Sequence, residues 1–176
     1  MARRRFAPGS KAMHTLRTAV PEIADLHEGY EINGHTEPNP NIEMKLYNGD
    51  KGLYARRDIV TGSVIFDLKG RISRRRNKYS VQLSRDKHLD FPLIRKPNDH
   101  LDYAWQYVNH SCEPNGCVNA AEYSFCALRN IRKGEEITFN YLATEYELAA
   151  PFLCKCRSAK CFGFIQGYKF ILIGGR

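Results

Sequence analysis

A mostly β single domain with few short helices is what this sequence predicts, and three observations carry the prediction. Apolar residues come in short strand-like runs, the glycines at 49, 52, 62 and 70 cut the first of them, and residues 99–108 carry apolar residues at helix spacing over only about two turns. At 176 residues the chain fits one ordinary domain with short attachments, large enough to bury a core without disulfide staples.

The elements follow in order. The first 35 or so residues are polar, lack sustained periodicity and run into Gly34-His35-Thr36-Glu37-Pro38-Asn39-Pro40, a turn-rich linker that breaks helix and strand alike. The domain is expected to begin there. Residues 42–47 and 53–56 read as strands around the turn Gly49-Asp50-Lys51-Gly52, and residues 63–68 form a third run before Gly70. Residues 79–83 alternate like a strand. An Asp start with apolar Leu101, Ala104, Trp105 and Val108 predicts a helix of about two turns over residues 99–108. Residues 124–128 and 136–141 are strands, with Arg132-Lys133-Gly134-Glu135 as the turn between them.

The net charge of +8 suggests a nucleic-acid binder until it is localised. Arg3, Arg4, Arg5, Lys11 and Arg17 stand among the first 20 residues without an acid, and Arg71, Arg74, Arg75, Arg76 and Lys78 cluster likewise. Without these ten cations the rest of the chain holds 17 basic and 19 acidic residues, so it is slightly negative. Such runs are ordinarily solvated surface; contact with phosphate or an acidic protein is the functional alternative for both clusters. No apolar run approaches the roughly 18 residues a membrane span needs. The basic start has no apolar stretch behind it, which argues against a secretory signal and for an intracellular protein, nuclear if its host is eukaryotic.

In a reducing interior, clustered thiols usually mean metal or catalysis. Cys154, Cys156 and Cys161 place three soft ligands on a short polar segment, a pattern suited to tetrahedral Zn²⁺ that still lacks a fourth ligand. Cys112, Cys117, Cys126 and the six histidines are the candidates. Cys117 and Cys126 sit among apolar strand neighbours and read better as small core residues.

The densest polar segment is Asn109-His110-Ser111-Cys112-Glu113-Pro114-Asn115. Alone it admits a Cys-His nucleophile pair, although residues two apart on a turn rarely face each other, or a turn held by Asn side chains. In company with Gly52-Leu53-Tyr54-Ala55, Asp58-Ile59 and Gly62-Ser63-Val64-Ile65 before it, and Gly134-Glu135-Glu136-Ile137-Thr138-Phe139-Asn140-Tyr141 after it, the segment closely resembles the SET-domain methyltransferases. The three-cysteine cluster then resembles their post-SET segment. The likeness covers roughly residues 42–168, with the motifs in the family's order. Two positions depart from it: Asp50 stands where glycine is common, and Asn140 where an Asp is frequent.

The resemblance implies a SET fold of several small curved sheets around a C-terminal pseudoknot, with a zinc-bound post-SET tail. It divides the chain into a basic extension and linker (1–40), a catalytic domain (41–143) and a zinc-binding segment (144–176). It implies S-adenosylmethionine as cofactor, methylation of a protein lysine as activity, and one structural zinc whose fourth ligand is Cys112 beside Cys154, Cys156 and Cys161. Tyr141 is the implied catalytic residue. Phe139, on the same strand face, is the implied product-specificity position, and its missing hydroxyl points to di- or trimethylation; Phe164 is a candidate wall of the lysine channel. Lys51 and Gly52 through their backbone, Tyr79, Asn109 and His110 are implied to hold the cofactor. The partner would be a basic protein or peptide, a histone tail first. All six cysteines lie at or after position 112, without the cysteine-rich segment that precedes these motifs in some histone-specific members. The competing reading is a SET-like binding module without turnover that grips an acidic partner or nucleic acid.

Overall fold

Glycine and the short apolar runs decide where this chain turns and pairs. The computed structural model describes residues 28–29, 31–32, 39–47, 49–91 and 103–173. Two short strands open it: β1 (Glu31–Ile32) and β2 (Ile42–Tyr47). β2 forms an antiparallel hairpin with β3 (Asp50–Ala55), from Ile42 opposite Ala55 to Tyr47 opposite Asp50. Gly49 makes the turn with φ 88°, in the region that favours glycine. Asp50 is therefore already a strand residue, and its departure from glycine needs no special backbone.

Three further strands build an inserted sheet. β4 (Val64–Asp67) precedes it, and β5 (Gly70–Ser73), β6 (Val81–Ser84) and β7 (Lys87–Asp90) join β1 in the order β1-β5-β7-β6. Residues 28–29 and 31–32, within the expected extension, are thus tied to it: β1 pairs with β5, and Gly29 N–H donates to the Ile72 carbonyl at 2.8 Å. Arg74, Arg75, Arg76 and Lys78 lie exposed on the β5 to β6 turn. The arginines near the N-terminus fall outside the described residues.

A two-residue strand, β8 (Asn109–His110), leads into β9 (Gly116–Asn119) and β10 (Ser124–Ala127), which pair antiparallel and continue onto β4. The chain then returns as β11 (Glu136–Phe139), antiparallel to β3 and parallel to β8, with Phe139 opposite His110. Arg132 to Glu135 do form a turn, but it carries the chain from one sheet to another and closes no hairpin between β10 and β11. Behind the site, β12 (Phe152–Leu153) pairs with β13 (Phe164–Ile165), and α1 (Tyr168–Ile173) follows. No helix among the described residues is long and apolar enough to cross a membrane.

The core runs between the sheets through Leu53, Ile65, Leu68, Ile72, Leu83, Leu89, Ile131 and Ile137, all almost fully buried. Each such side chain contributes about 1.5–3 kcal/mol by leaving water. An aromatic line extends this core towards the site: Phe66 stacks on Phe125 at 4.8 Å, and Phe125 meets Phe139 edge to face at 6.0 Å. The strand expectations hold with shifts of up to three residues, the largest at β3, which takes in Asp50, Lys51 and Gly52 from the expected turn. The helix expected at 99–108 is instead one 3₁₀ turn, Ala104–Tyr107, within the described part of that stretch. Gln106 and Val108 donate three residues back, to Tyr103 and Trp105, while the Trp105 indole N–H is drawn to the Lys69 carbonyl at 2.8 Å. Cys117 and Cys126, expected in the core, are half-buried and stand directly opposite each other on β9 and β10.

Candidate active site and metal centre

β11 ends at Phe139, and the side chain of the next residue, Asn140, accepts the Leu142 N–H at 3.0 Å and caps a 3₁₀ turn, Tyr141–Ala143. A neutral Asn serves as this cap. The turn sends Tyr141 back across β8. There its N–H donates to His110 Nδ1 at 3.2 Å, and its hydroxyl donates to the Val108 carbonyl at 2.9 Å. Its ring lies 4.7 Å from Phe139, 5.2 Å from His110 and 5.9 Å from Phe152. Burial, with the Glu145 and Glu136 charges, pushes the phenol well above its ordinary value. It therefore stays protonated at neutral pH. Because that proton is committed to Val108, the oxygen is left to act as an acceptor.

His110 is neutral as well, its imidazole pushed down to about 4 by burial. With Nδ1 accepting, the ring proton belongs on Nε2, 3.3 Å from Cys112 Sγ. Two residues apart, His110 and Cys112 do face each other, contrary to the sequence expectation. They do not make a nucleophile pair: burial pushes the Cys112 thiol up to about 11, the opposite of activation.

Beside this cradle, the Asn109 side-chain amide donates to the Lys51 carbonyl at 3.0 Å and to Glu136 Oε1 at 2.7 Å. Gly52 permits that approach, since a Cβ there would stand 2.8 Å from Glu136 Oε1 and 3.3 Å from Asn109 Nδ2. Lys51, Gly52, Asn109 and His110 thus converge on one backbone cradle. Asn109 Oδ1 has no partner among the described residues and offers an acceptor for an ammonium group. Asn115 locks the motif to β11 from inside: it is 2% exposed, donates to the Glu136 carbonyl at 2.7 Å and accepts from Thr138 N–H at 2.9 Å.

The thiols of Cys112, Cys154, Cys156 and Cys161 lie within 4.8 Å of one another. Four sulfurs about 2.3 Å from a tetrahedral zinc stand roughly 3.8 Å apart, and Cys112 and Cys154 are 3.9 Å apart. Backbone N–H groups of Cys156, Phe162 and Gly163 each approach a cluster sulfur at 3.4 Å, a setting that favours thiolate. Burial pushes the Cys154 thiol up; at Cys156 hydrogen bonds outweigh burial and bring it down to about 6. Four crowded thiols are a set that a dication could fill by displacing their protons. The donor set fits a closed structural zinc, with no position left for a reactive water.

Not every expected residue joins. The Tyr79 ring is half-exposed and meets Phe91 edge to face at 6.2 Å, while Phe164 stands exposed on β13 opposite Leu153. Neither ring touches Tyr141 or His110. Three residues escaped the sequence reading: Phe152, whose ring lies 5.7 Å from His110, the buried Asn115, and Glu145. Asn115 stood inside the polar motif; Phe152 and Glu145 carried no local signal.

Comparison with known proteins places this geometry. The family model described as SET domain matches residues 50–142. A histone-lysine N-methyltransferase of Mycosarcoma maydis, H3 lysine-36 specific, is 32% identical over 133 residues, covering 66% of this chain and 13% of that protein. The Saccharomyces cerevisiae (strain ATCC 204508 / S288c) protein of the same description is 30% identical over 143 residues, covering 73% of this chain and 19% of the relative. The chain thus spans under a fifth of either relative's length. Among solved structures, KRYPTONITE in complex with mCHG DNA and SAH matches with TM-score 0.55 at 19% identity, over 70% of this chain and 28% of that one. A second KRYPTONITE complex, with mCHH DNA, an H3(1-15) peptide and SAH, matches at TM-score 0.53 and 18% identity, over 70% and 29%. These two likenesses concern the fold.

Proposed function

The chain belongs to the SET domain family, and on that premise we propose that it transfers methyl groups from S-adenosylmethionine to the ε-amine of a protein lysine, with histone tails the favoured substrate. The relatives named as histone-lysine methyltransferases and the fold neighbour held with SAH and an H3 peptide support the reading. A histone substrate would place the protein with chromatin.

The observation that carries the reading is the Tyr141 oxygen. S-adenosylmethionine, when bound, supplies a methyl carbon on a positive sulfonium. A buried, protonated phenol whose own hydrogen is tied to Val108 presents lone pairs to an amine N–H and to a polarised methyl C–H, and so aligns them. A solvated lysine has a pKa near 10.4 and lacks the free pair that displacement requires. Passage through an apolar channel lowers that value, as does the neighbouring sulfonium charge. Phe139 and the phenol face supply apolar wall. Lys51 and Gly52 by their backbone, with Asn109 and His110, would hold the cofactor, and the four cysteines one structural zinc. Tyr79 and Phe164, both half-exposed, would complete the walls once cofactor and peptide are seated. With Phe139 rather than a tyrosine beside Tyr141, no hydroxyl crowds a second or third methyl, so the product is di- or trimethyllysine. The exposed Arg74, Arg75 and Lys78 offer contact to phosphate or an acidic surface.

The test is tritiated-methyl transfer to a panel of histones, ribosomal proteins and lysate, with Tyr141→Phe beside wild type. Label on lysine that is lost in the variant supports the enzyme. No label on any acceptor, together with no cofactor binding by calorimetry, would favour the binding-module reading.

A further inference from the structure

The inserted sheet and the turn that carries Tyr141 are joined by a reciprocal clasp. Gln82 on β6 donates its backbone N–H to Glu145 Oε1 at 2.8 Å, and its side-chain oxygen accepts the Tyr146 N–H at 2.7 Å. The Gln82 amide cannot turn away, because its NH₂ is bonded to the carbonyls of Ser84 at 2.8 Å and Arg85 at 3.1 Å. Thr144 Oγ1 adds a second bond to Glu145 Oε1 at 3.1 Å. Through its backbone Glu145 also donates to the Tyr141 carbonyl at 2.8 Å and accepts the Tyr168 N–H at 3.0 Å. One residue, 5% exposed, thereby ties together β6, the Tyr141 turn and the start of α1.

The chemistry of this buried acid is unusual for a merely structural tie. Its hydrogen-bond partners are neutral: Gln82 on β6, Thr144 and Tyr141 on its own turn, Tyr168 on α1; Arg85 contributes only a carbonyl. Two residues on, Glu147 holds Arg76 at 2.8 Å and Lys169 at 2.6 Å, and among the described residues no ion pair joins either cation to Glu145. An acid buried without a cation is costly, and the same shape could be filled by a neutral residue. What the carboxyl adds to the clasp is a hold on the turn that is complete only while the group is protonated.

We propose that Glu145 is a positioning residue for methyl transfer: clasped to Gln82, it holds the Tyr141 turn against the inserted sheet and acts on the reaction only through Tyr141. The proposal rests on the methyltransferase reading above. Tyr141 has two anchors on or beside β8, the Val108 carbonyl and His110 Nδ1, which fix the ends of its side chain and its N–H. The Glu145 N–H is the anchor of its carbonyl, and without it the turn can pivot about the other two. A displacement of well under an ångström at the hydroxyl is enough to spoil alignment. Burial pushes the Glu145 carboxyl up to about 7, so the clasp is tested across an accessible pH range. Below that value the protonated group resembles a glutamine; above it, ionisation in this buried site loosens the clasp.

The experiment is steady-state transfer by the full chain, wild type, Glu145→Gln and Glu145→Ala, from pH 6 to pH 8. The substrate lysine titrates alike in all three, so the ratio of kcat values isolates Glu145. We expect Glu145→Gln to match wild type at pH 6 and to exceed it several-fold at pH 8, where wild type carries the buried charge. Glu145→Ala should lose tenfold or more in kcat at both, with KM for peptide and cofactor within about twofold and faster amide exchange over residues 141–146. A wild-type to Gln ratio flat across pH would overturn the proposal even if the alanine variant fails to fold, as would an effect confined to KM. A wild type that transfers no methyl would instead remove the methyltransferase reading, and this proposal with it.

Discussion

The cradle around Tyr141 and the segment that follows it are neighbours held by different forces. In the cradle, Val108, Ile137 and Phe139 are at most 5% exposed, and Asn115 satisfies the buried backbone of β11 from within. In the C-terminal segment, Leu153 is 71% exposed, Phe162 46% and Phe164 49%, and among its described residues only Ile165 is a fully buried large apolar side chain. That segment is held by four thiols, by the Glu145 clasp, and by Glu147 between Arg76 and Lys169. Ion pairs as exposed as these contribute little. The cradle can therefore order itself, whereas the tail relies on a few polar bonds and on a thiol set that a metal would order.

The largest effect should follow from breaking the thiol set. Cys112→Ser removes the one ligand that links cradle to tail, and a structural zinc contributes about 10–16 kcal/mol of binding free energy in small domains. The expected result is loss of stoichiometric zinc by elemental analysis, rapid amide exchange beyond residue 150, and methyl transfer reduced to background, while exchange over β3 and β11 stays slow. Cys126→Ser, outside the cluster, should leave zinc content and transfer unchanged. A zinc-free protein that still turned over would erase the proposed distinction between the regions.

A second test works on the seam between them. The folded Glu145 carboxyl stands at about 7 against an ordinary 4.5. For a raised acid, the favourable contribution is complete below the unfolded value and is lost as pH rises through the folded one. Between pH 4 and pH 8 wild type should therefore lose on the order of 3 kcal/mol that Glu145→Gln does not lose, read from urea midpoints. Within the cradle, Asn115→Ala strands the Thr138 N–H and the Glu136 carbonyl, and should cost about 1–3 kcal/mol at every pH. If the cost of Asn115→Ala varied with pH while Glu145→Gln followed wild type at every pH, the assignment of the two anchors would be reversed.

These contrasts also mark what could be read in advance. Strands cut by glycine, the Asn109 to Asn115 motif, Tyr141 at a strand end and the cysteine spacing are local patterns, and each is visible in a few consecutive residues. The parallel contact of β8 with β11 is not, because it joins segments separated by the whole β9 and β10 excursion. Gln82 and Glu145 lie 63 residues apart, and a lone Glu in a polar stretch looks the same whether solvated or clasped. Phe152 has the same difficulty, since nothing beside it in the chain announces a ring against His110 and Tyr141. The helix misread at 99–108 shows the converse error: its spacing was adequate, but tertiary bonds such as Trp105 to Lys69 drew the described part into a single 3₁₀ turn.

The smallest expected effect on rate is the most informative about the cradle. Phe139 packs 4.7 Å from the Tyr141 ring and 6.0 Å from Phe125, and is 5% exposed. Phe139→Tyr adds one hydroxyl to this apolar wall, and a buried hydroxyl without a partner costs about 1–3 kcal/mol. It can recover that loss by holding a water beside the amine, in space that a second methyl would otherwise occupy. Transfer of the first methyl should therefore fall by no more than a few-fold, while the product seen by mass spectrometry shifts from di- and trimethyllysine towards monomethyllysine. An unchanged trimethyl product would mean that the Phe139 ring faces the core line through Phe125 and not the channel, and that another wall of the cradle limits the methyl count.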